Sequence, residues 1–301
     1  MPKDSVISSA TDQSILVVGA DGMIGRHLVA ALELKGKQVW GSTRKKNQVA
    51  ERQIFLDMAE TICEGSLLPN KIGTAILCAA ETSMERCRLD ATATRRINVE
   101  NTVALAKRLV DEGTFVIFLS SNTVFDGQVA VPKATDRTNP QTEYGRQKAD
   151  AEERLLSLGG QVAVVRFSKI IPPDMPLITS WASDLSARKI IHPFSDSVMA
   201  PVSVTFAVEL ISRVLTHKRS GIIQASATGD MSYKDAAKYI ALKLGVDIRL
   251  IEPISYLQAG IQFSPKYTTL DVTTLLELGF EAPSETHALD QLNISIVSES
   301  Q

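Results

Sequence analysis

Short apolar runs, each too brief for a helix, recur along the first 167 residues and are bounded by glycine, polar or charged positions. The runs at 14–19, 38–43, 53–56, 74–80, 114–120 and 162–167 predict six strands, and near-continuous apolarity marks a strand buried on both faces. Between them the spacing changes to a helical period. Leu28 and Leu32 follow the first run, and Ile97, Val103, Leu105 and Leu109 run along a predicted helix over 92–112 that Gly113 ends. A further helix is predicted from Glu143 to Leu158. Strands alternating with helices predict an α/β protein: a Rossmann-type, doubly wound parallel sheet over 14–167.

Beyond Phe167 the pattern loosens. Ile170-Ile171-Pro172-Pro173 is a break, helices are expected at 176–189 and 203–215, and 221–225 reads as a short strand. Ser232-Tyr233-Lys234-Asp235 resembles a capping box opening a helix to Leu244, stopped by Gly245. Asp271 is expected to cap another helix ending near Gly279. Residues 168–301 are therefore read mainly as a smaller C-terminal α+β substrate-binding lid, with one or two elements returning to the main sheet. Residues 1–13 are polar and read as a disordered tail.

Composition narrows the function. A chain of 301 residues with 44% apolar and 22% charged residues is globular, and a net charge of −2 gives no reason to expect nucleic acid or an anionic membrane as partner. No apolar run approaches the ~20 residues that span a bilayer. Cys63, Cys78 and Cys87 lack paired or metal-type spacing, Cys78 reads as a small buried hydrophobe, and the expectation is a reduced, cytoplasmic protein. No histidine–carboxylate cluster suggests a metal site. His27 and His217 read as solvated helix residues, and His287 lies near the C-terminus without a partner in view. His192, before Pro193, is a candidate substrate contact in the lid.

The chemistry gathers at strand ends. After the first strand comes Gly19-Ala20-Asp21-Gly22-Met23-Ile24-Gly25 and then a helix. Glycines there let the chain turn tightly and let a pyrophosphate approach the helix N-terminus, whose free N–H groups and dipole favour an anion. The spacing is G-x-x-G-x-x-G, with Asp21 at the usual second-glycine position. An NAD site usually has an acid at the end of the second strand; here stand Ser42, Thr43, Arg44, Lys45 and Lys46, which suit a 2′-phosphate or form a solvated basic turn. Asp57, 79–82 and Ser121 fall at further strand ends, where open α/β sheets bind ligands. Tyr144 and Lys148 are four apart, so a helix would place them on one face. An ammonium there favours the phenolate; moving a phenol from its ordinary ~10 to ~7 takes roughly 4 kcal/mol, part of which a cationic cofactor ring could supply. Alone, that pair also fits an ordinary amphipathic helix.

Taken together these residues resemble the extended short-chain dehydrogenase/reductase family. The resemblance implies that Gly19, Asp21, Gly22, Met23, Ile24 and Gly25 form the cofactor loop, joined by Thr43, Arg44 and Lys45. It assigns Asp57 with Met58 to the adenine, and Ala79, Ala80 and Thr82 to the segment after strand four. Ser121, Tyr144 and Lys148 match the family's catalytic triad, with Asn98 as its mid-helix asparagine. The segment 120–127 looks most like that of dTDP-4-dehydrorhamnose reductases, although those usually have Thr-Asp-Tyr where Ser121-Asn122-Thr123 stands. The lid's entry at 166–173 also lacks the glycine that relatives carry. Asn122-Thr123 in place of an Asp-Glu pair argues against a dehydratase.

The implied chemistry is reduction of a nucleotide-linked keto-sugar, with NADP(H) as the preferred cofactor and NAD(H) as the alternative. Ser121 would bind the carbonyl oxygen, Tyr144 would give the proton, and Lys148 would lower the phenol pKa and bind the nicotinamide ribose. Asn98 fits either a water relay to Lys148 or the satisfaction of backbone groups beside strand four. Val124 and Phe125 fit either the nicotinamide pocket or the core. Asn122, Thr123 and His192 join Ser121 and Tyr144 as candidate substrate contacts. An epimerase with the same triad and a non-catalytic cofactor-binding regulator are the alternatives, and a homodimer is left open.

Overall fold

A computed structural model describes residues 14–60, 68–69, 71–260 and 263–294; Cys63 and the expected N-terminal tail lie outside them. The chain begins with β1 (Ser14–Val18) and α1 (Met23–Leu34), then β2 (Val39–Thr43), β3 (Gln53–Phe55) and β4 (Ile72–Leu77). Helices α2 (Met84–Leu89), α3 (Ala91–Arg95) and α4 (Thr102–Asp111) lead to β5 (Phe115–Ser121), α5 (Glu143–Leu156) and β6 (Val162–Phe167). Strands β1 to β6 pair in parallel in the order β6-β5-β4-β1-β2-β3. The order reverses between β1 and β4, where a crevice opens beyond the strand ends.

Each strand is apolar on both sides because both faces are covered. Ile15 and Val17 of β1 join one core with Leu28, Leu32, Ile117 and Val165, while Leu16 and Val18 join the opposite core with Leu105, Leu109, Phe118 and Leu155. Strand β4 starts two residues before the expected run and stops before Cys78, because the N–H groups of Cys78 and Ala79 both donate to the Val18 carbonyl, at 2.9 and 3.0 Å. The helix expected over 92–112 is interrupted: Arg96–Asn101 winds as a π turn between α3 and α4. Such a turn inside an α-helix is rare and commonly marks a functional position; Asn98 is in it.

Past Phe167 the chain makes β7 (Lys169–Ile171), α6 (Pro176–Ser186), β8 (Val198–Met199) and β9 (Pro201–Ser203). It then returns with α7 (Val204–His217), which packs against α1, and β10 (Gly221–Ala225), which extends the sheet beside β6 as its seventh strand. A second excursion forms β11 (Met231–Ser232) and α8 (Tyr233–Leu244), followed by α9 (Thr273–Leu276) and α10 (His287–Asp290). The expected capping box is present: Ser232 Oγ accepts from Asp235 N at 3.0 Å and donates to its carboxylate at 2.7 Å, and Gly245 closes the helix at φ +68°. The N-cap of α9 is Val272 rather than the expected Asp271, which lies one residue earlier and accepts from Thr273 N at 3.1 Å, and the helix stops at Leu276, short of Gly279. Helices α6, α8 and α10 bury a third core of Ile178, Trp181, Leu185, Ile240 and Leu289, which makes the C-terminal lobe. No helix among the described residues is long and apolar enough to cross a membrane.

Candidate active site

Gly19 turns the chain out of β1 at φ +85°, and a Cβ there would lie 2.7 Å from Ala79 N. Gly25 is excluded from change for another reason: its Cβ would lie 2.1 Å from the Gly19 carbonyl, so α1 presses directly on the loop. Helix α1 has no side-chain cap and no acid in its first turn, which leaves its N–H groups open to an anion. The loop is pinned to β2 from above. Gly19 N donates to Ser42 Oγ at 2.8 Å, and Thr43 Oγ1 donates to Asp21 Oδ2 at 2.6 Å. Asp21 thus holds the loop in shape from the position where a glycine was expected.

These elements wall a cavity of about 340 Å³ lined by Gly19, Asp21, Gly22, Arg44, Asp57, Met58, Ala79 and Ala80, with Ser42, Ile97 and Arg86. Of the cofactor residues read from sequence, Gly19, Asp21, Gly22, Arg44, Asp57, Met58, Ala79 and Ala80 meet here, Met23, Ile24, Thr82, Tyr144 and Lys148 line a second cleft, and three line neither. Gly25 is covered by the loop, Thr43 is buried beneath it, and Lys45 is solvent-exposed and off the wall. Ser42 belongs to the segment expected beside the cofactor, and Arg86 was not foreseen. Arg86 reaches the wall from α2 and pairs with Glu81 at 2.6 Å. An uncapped helix start, a glycine cradle and the Arg44 guanidinium offer donors, and half-buried Asp57 offers an acceptor, a set that fits a dinucleotide.

Cys78 and Ala80 line both this cavity and a second cleft of about 450 Å³, so the two spaces share a wall. The second cleft is lined by Met23, Ile24, Thr82, Ser121, Asn122, Thr123, Tyr144 and Lys148 on the sheet side. Thr142 caps α5 by accepting from Gly145 N at 3.1 Å. Gly145 is forced by packing: its Cβ would meet the Thr123 carbonyl at 2.2 Å. That close approach seats Tyr144 and Lys148 against the turn that follows Ser121. Lys148 Nζ donates to the Leu119 carbonyl at 2.8 Å, lies 4.3 Å from the Phe118 ring centre and 5.9 Å from that of Tyr144. Ser121 Oγ donates to Asn122 Oδ1 at 3.3 Å and accepts from Thr123 N and Oγ1 at 3.2 and 3.1 Å.

The electrostatics differ from expectation. Burial pushes the Lys148 ammonium down to about 8, only partly countered by Glu152. Burial also pushes the Tyr144 phenol up rather than down, and Cys87 adds to the same shift. A phenol so placed holds its proton firmly. Cys78, half-buried between the cavities, has its thiol pushed up to about 12 by burial.

Asn98 does not open on either cavity. Its Oδ1 accepts from Glu81 N at 2.8 Å, and its Nδ2 donates to the Glu81 carbonyl at 2.9 Å and to Gln147 Oε1 at 2.8 Å. Of its two expected roles, these contacts are those of the backbone-satisfying one: the π turn delivers an amide that locks the segment after β4 to α5. Val124 is fully buried and is core, whereas Phe125 is half-buried, lies 5.0 Å from the Arg166 guanidinium and lines a separate surface pocket with Asp126 and Pro132, so neither lines the cleft. His192 is exposed on the C-terminal lobe, with Nδ1 3.0 Å from the Glu252 carbonyl, and does not line the cleft. His27 is half-buried with Nδ1 2.6 Å from the Met23 carbonyl, and His287 sits 3.0 Å from Gln291 Nε2. The lobe instead contributes Lys169, Met199, Tyr233, Tyr256, Phe263 and Ser264. Among the described residues, no group of three or more histidine, cysteine or carboxylate side chains is placed to hold a metal.

A dinucleotide cradle sharing a wall with a serine–tyrosine–lysine cleft defines the class: an NAD(P)-dependent oxidoreductase of the extended short-chain dehydrogenase/reductase type. More narrowly, the family model described as RmlD substrate binding domain matches residues 13–294, and the chain belongs to that family. It is 27% identical over 268 residues to a Streptomyces niveus protein named dTDP-4-keto-6-deoxy-D-glucose reductase, covering 88% of this chain and 90% of that one. It is 24% identical over 249 residues to a Vibrio cholerae UDP-glucose 4-epimerase, covering 77% and 76%. Its fold matches the crystal structure of a Bacillus anthracis dTDP-4-dehydrorhamnose reductase in complex with NADP, with a TM-score of 0.80, 20% identity and coverage of 95% and 99%.

Replacing Arg44 with alanine is expected to weaken NADP binding by about 1.5–3 kcal/mol, the scale of a charge-assisted hydrogen bond, and to leave NAD nearly untouched. Parallel fluorescence titrations with both cofactors check this. Equal losses for the two would remove Arg44 from the 2′-phosphate.

Proposed function

We propose that this protein is an NADP-dependent reductase of a nucleotide-linked 4-keto-deoxysugar. The observation that carries the reading is the shared wall between the dinucleotide cavity and the cleft holding Ser121, Tyr144 and Lys148. When bound across the shared wall, reduced nicotinamide would supply the hydride for the carbonyl carbon. Ser121 turns its hydroxyl from Asn122 Oδ1 to the carbonyl oxygen and stabilises the charge that develops there. Tyr144 gives that oxygen its proton; burial alone makes the phenol a weaker acid, so donation relies on the positive charge of Lys148 and of a bound nicotinamide ring to stabilise the phenolate. Lys148, fixed by the Leu119 carbonyl, carries positive charge beside the phenol and supports the phenolate left behind. The lobe built on α6 and α8 serves as the substrate lid: Tyr233, Tyr256 and Phe263 face the triad across the cleft and give it room for more than a simple alcohol.

The test supplies NADPH with dTDP-4-keto-6-deoxy sugars and follows nicotinamide absorbance together with product analysis. Oxidation of NADPH with a new hydroxyl at C4 is expected. Isomerised sugar without net cofactor use would make the protein an epimerase, and no turnover across a broad panel of keto-sugars would make it a cofactor-binding regulator.

A further inference from the structure

The described residues that line the catalytic cleft include two lysines, Lys148 and Lys169, and no aspartate or glutamate. Lys148 is held by the Leu119 carbonyl and the Phe118 ring. Lys169 is different. It opens β7, two residues past the end of β6, and its side chain has no hydrogen-bond, ion-pair or ring partner among the described residues. By surface area the residue is exposed, yet enough protein surrounds the ammonium for desolvation to lower its pKa, with no carboxylate raising it back. The same cleft has two further unmatched groups: Ser120 Oγ and Ser264 Oγ are buried without hydrogen-bond partners. Buried hydroxyls are rarely left unpaired, and an acid-free wall with a free ammonium carries a positive potential that a neutral sugar would not use.

We propose that Lys169 is the anchor for the diphosphate bridge of the substrate. The substrate class rests on the reading given under Proposed function; the anion subsite itself rests on the cleft. Lys169 reaches the ligand from the lobe side while Tyr144 works from the sheet side, so the charge contact would orient the sugar between them. A lysine is a compact point charge with three donors, suited to bridging phosphoryl oxygens rather than to planar bidentate recognition.

The test is equilibrium binding of dTDP, with thymidine as the uncharged control, to protein already loaded with NADP so that the dinucleotide cavity is filled. Wild type, Lys169→Met and Lys169→Arg are compared. Lys169→Met is expected to lose about 10- to 100-fold in dTDP affinity, to leave thymidine binding unchanged and to flatten the salt dependence. Lys169→Arg should keep most of the affinity, and unchanged NADP titration verifies the fold. Equal dTDP affinity in wild type and Lys169→Met would overturn the anchor, even in an enzyme that reduces keto-sugars. Weakened binding confined to a nucleotide-linked uronic acid, with dTDP unaffected, would overturn the diphosphate assignment. If Lys169→Met weakens dTDP binding but no keto-sugar is reduced, the anchor stands and the reductase reading falls.

Discussion

Tyr144→Phe is expected to fold, to bind NADPH like the wild type, and to lose about 100- to 10,000-fold in turnover, the range for a positioned acid–base group. The ring stays in place because Tyr144 is only 9% exposed and packs where Gly145 lets α5 approach the Thr123 carbonyl. Only the oxygen is removed. On the proposed mechanism that oxygen carries the proton for the developing alkoxide, and Lys148 would not replace it, because its Nζ is committed to the Leu119 carbonyl. The measurement is kcat under saturating NADPH alongside a cofactor titration. Turnover close to wild type would mean that another group delivers the proton. Loss of cofactor binding together with turnover would mean that the phenol holds the nicotinamide rather than acting on the substrate.

Glu152→Ala is expected to destabilise the fold by about 3–5 kcal/mol, the scale for stranding one member of a buried ion pair. Arg166 on β6 and Glu152 on α5 are each 2% exposed, and the guanidinium meets the carboxylate at 2.7 to 3.1 Å. Arg166 also donates to the Ala134 carbonyl at 3.2 Å and to Gln224 Oε1 at 3.1 Å, and Gln224 donates onward to the carbonyls of Pro132 at 2.9 Å and Asp271 at 3.1 Å. Removing the carboxylate leaves a cation in a dry site with neutral partners only. Replacing both residues by apolar ones, Glu152→Leu with Arg166→Met, should recover most of the loss, since a buried pair often contributes little net stability over a packed core. Urea unfolding of both variants decides the matter. A single variant within about 1 kcal/mol of wild type would show that water reaches Arg166.

What the sequence disclosed was what apolar period and chain direction control. The glycine loop, Asp57, Ser121 and the Tyr144–Lys148 pair follow from strand ends, and strand ends follow from runs of apolar residues. The cap at Ser232 and the stop at Gly245 were legible for the same local reason. What stayed hidden depends on partners distant in sequence. Nothing in the surroundings of Asn98 shows that its amide is consumed by Glu81 and Gln147, nor that a π turn delivers it. Arg86 escaped notice because its place on the wall depends on how α2 folds back. Arg166 is a charge within an apolar strand, an oddity from which a buried partner could have been inferred, though not that it is Glu152. His192 misled because histidine chemistry suggested a role that its position, beside the Glu252 carbonyl, does not serve. Lys169 sits two residues past a strand end, the rule that found Asp57, and could have been read by it.

The route of the chain after Phe167 has a consequence for anyone wishing to exchange the lobe between relatives. The lobe is not a cassette appended to a finished nucleotide-binding module. The chain leaves the sheet edge, comes back with α7 and β10 to cover α1 and pair with β6, then leaves again and comes back with α9, whose Leu275 enters the same core. The two outward loops are stitched to each other where Met231 and Ser232 pair with Met199 and Val198. A cut at residue 168 would strip one face of the sheet of Phe206, Leu210 and Ile211 and leave β6 as a bare edge, which invites aggregation. A chimera that transplants specificity must therefore carry both outward loops as a matched pair and keep the host's own α7 and β10 between them.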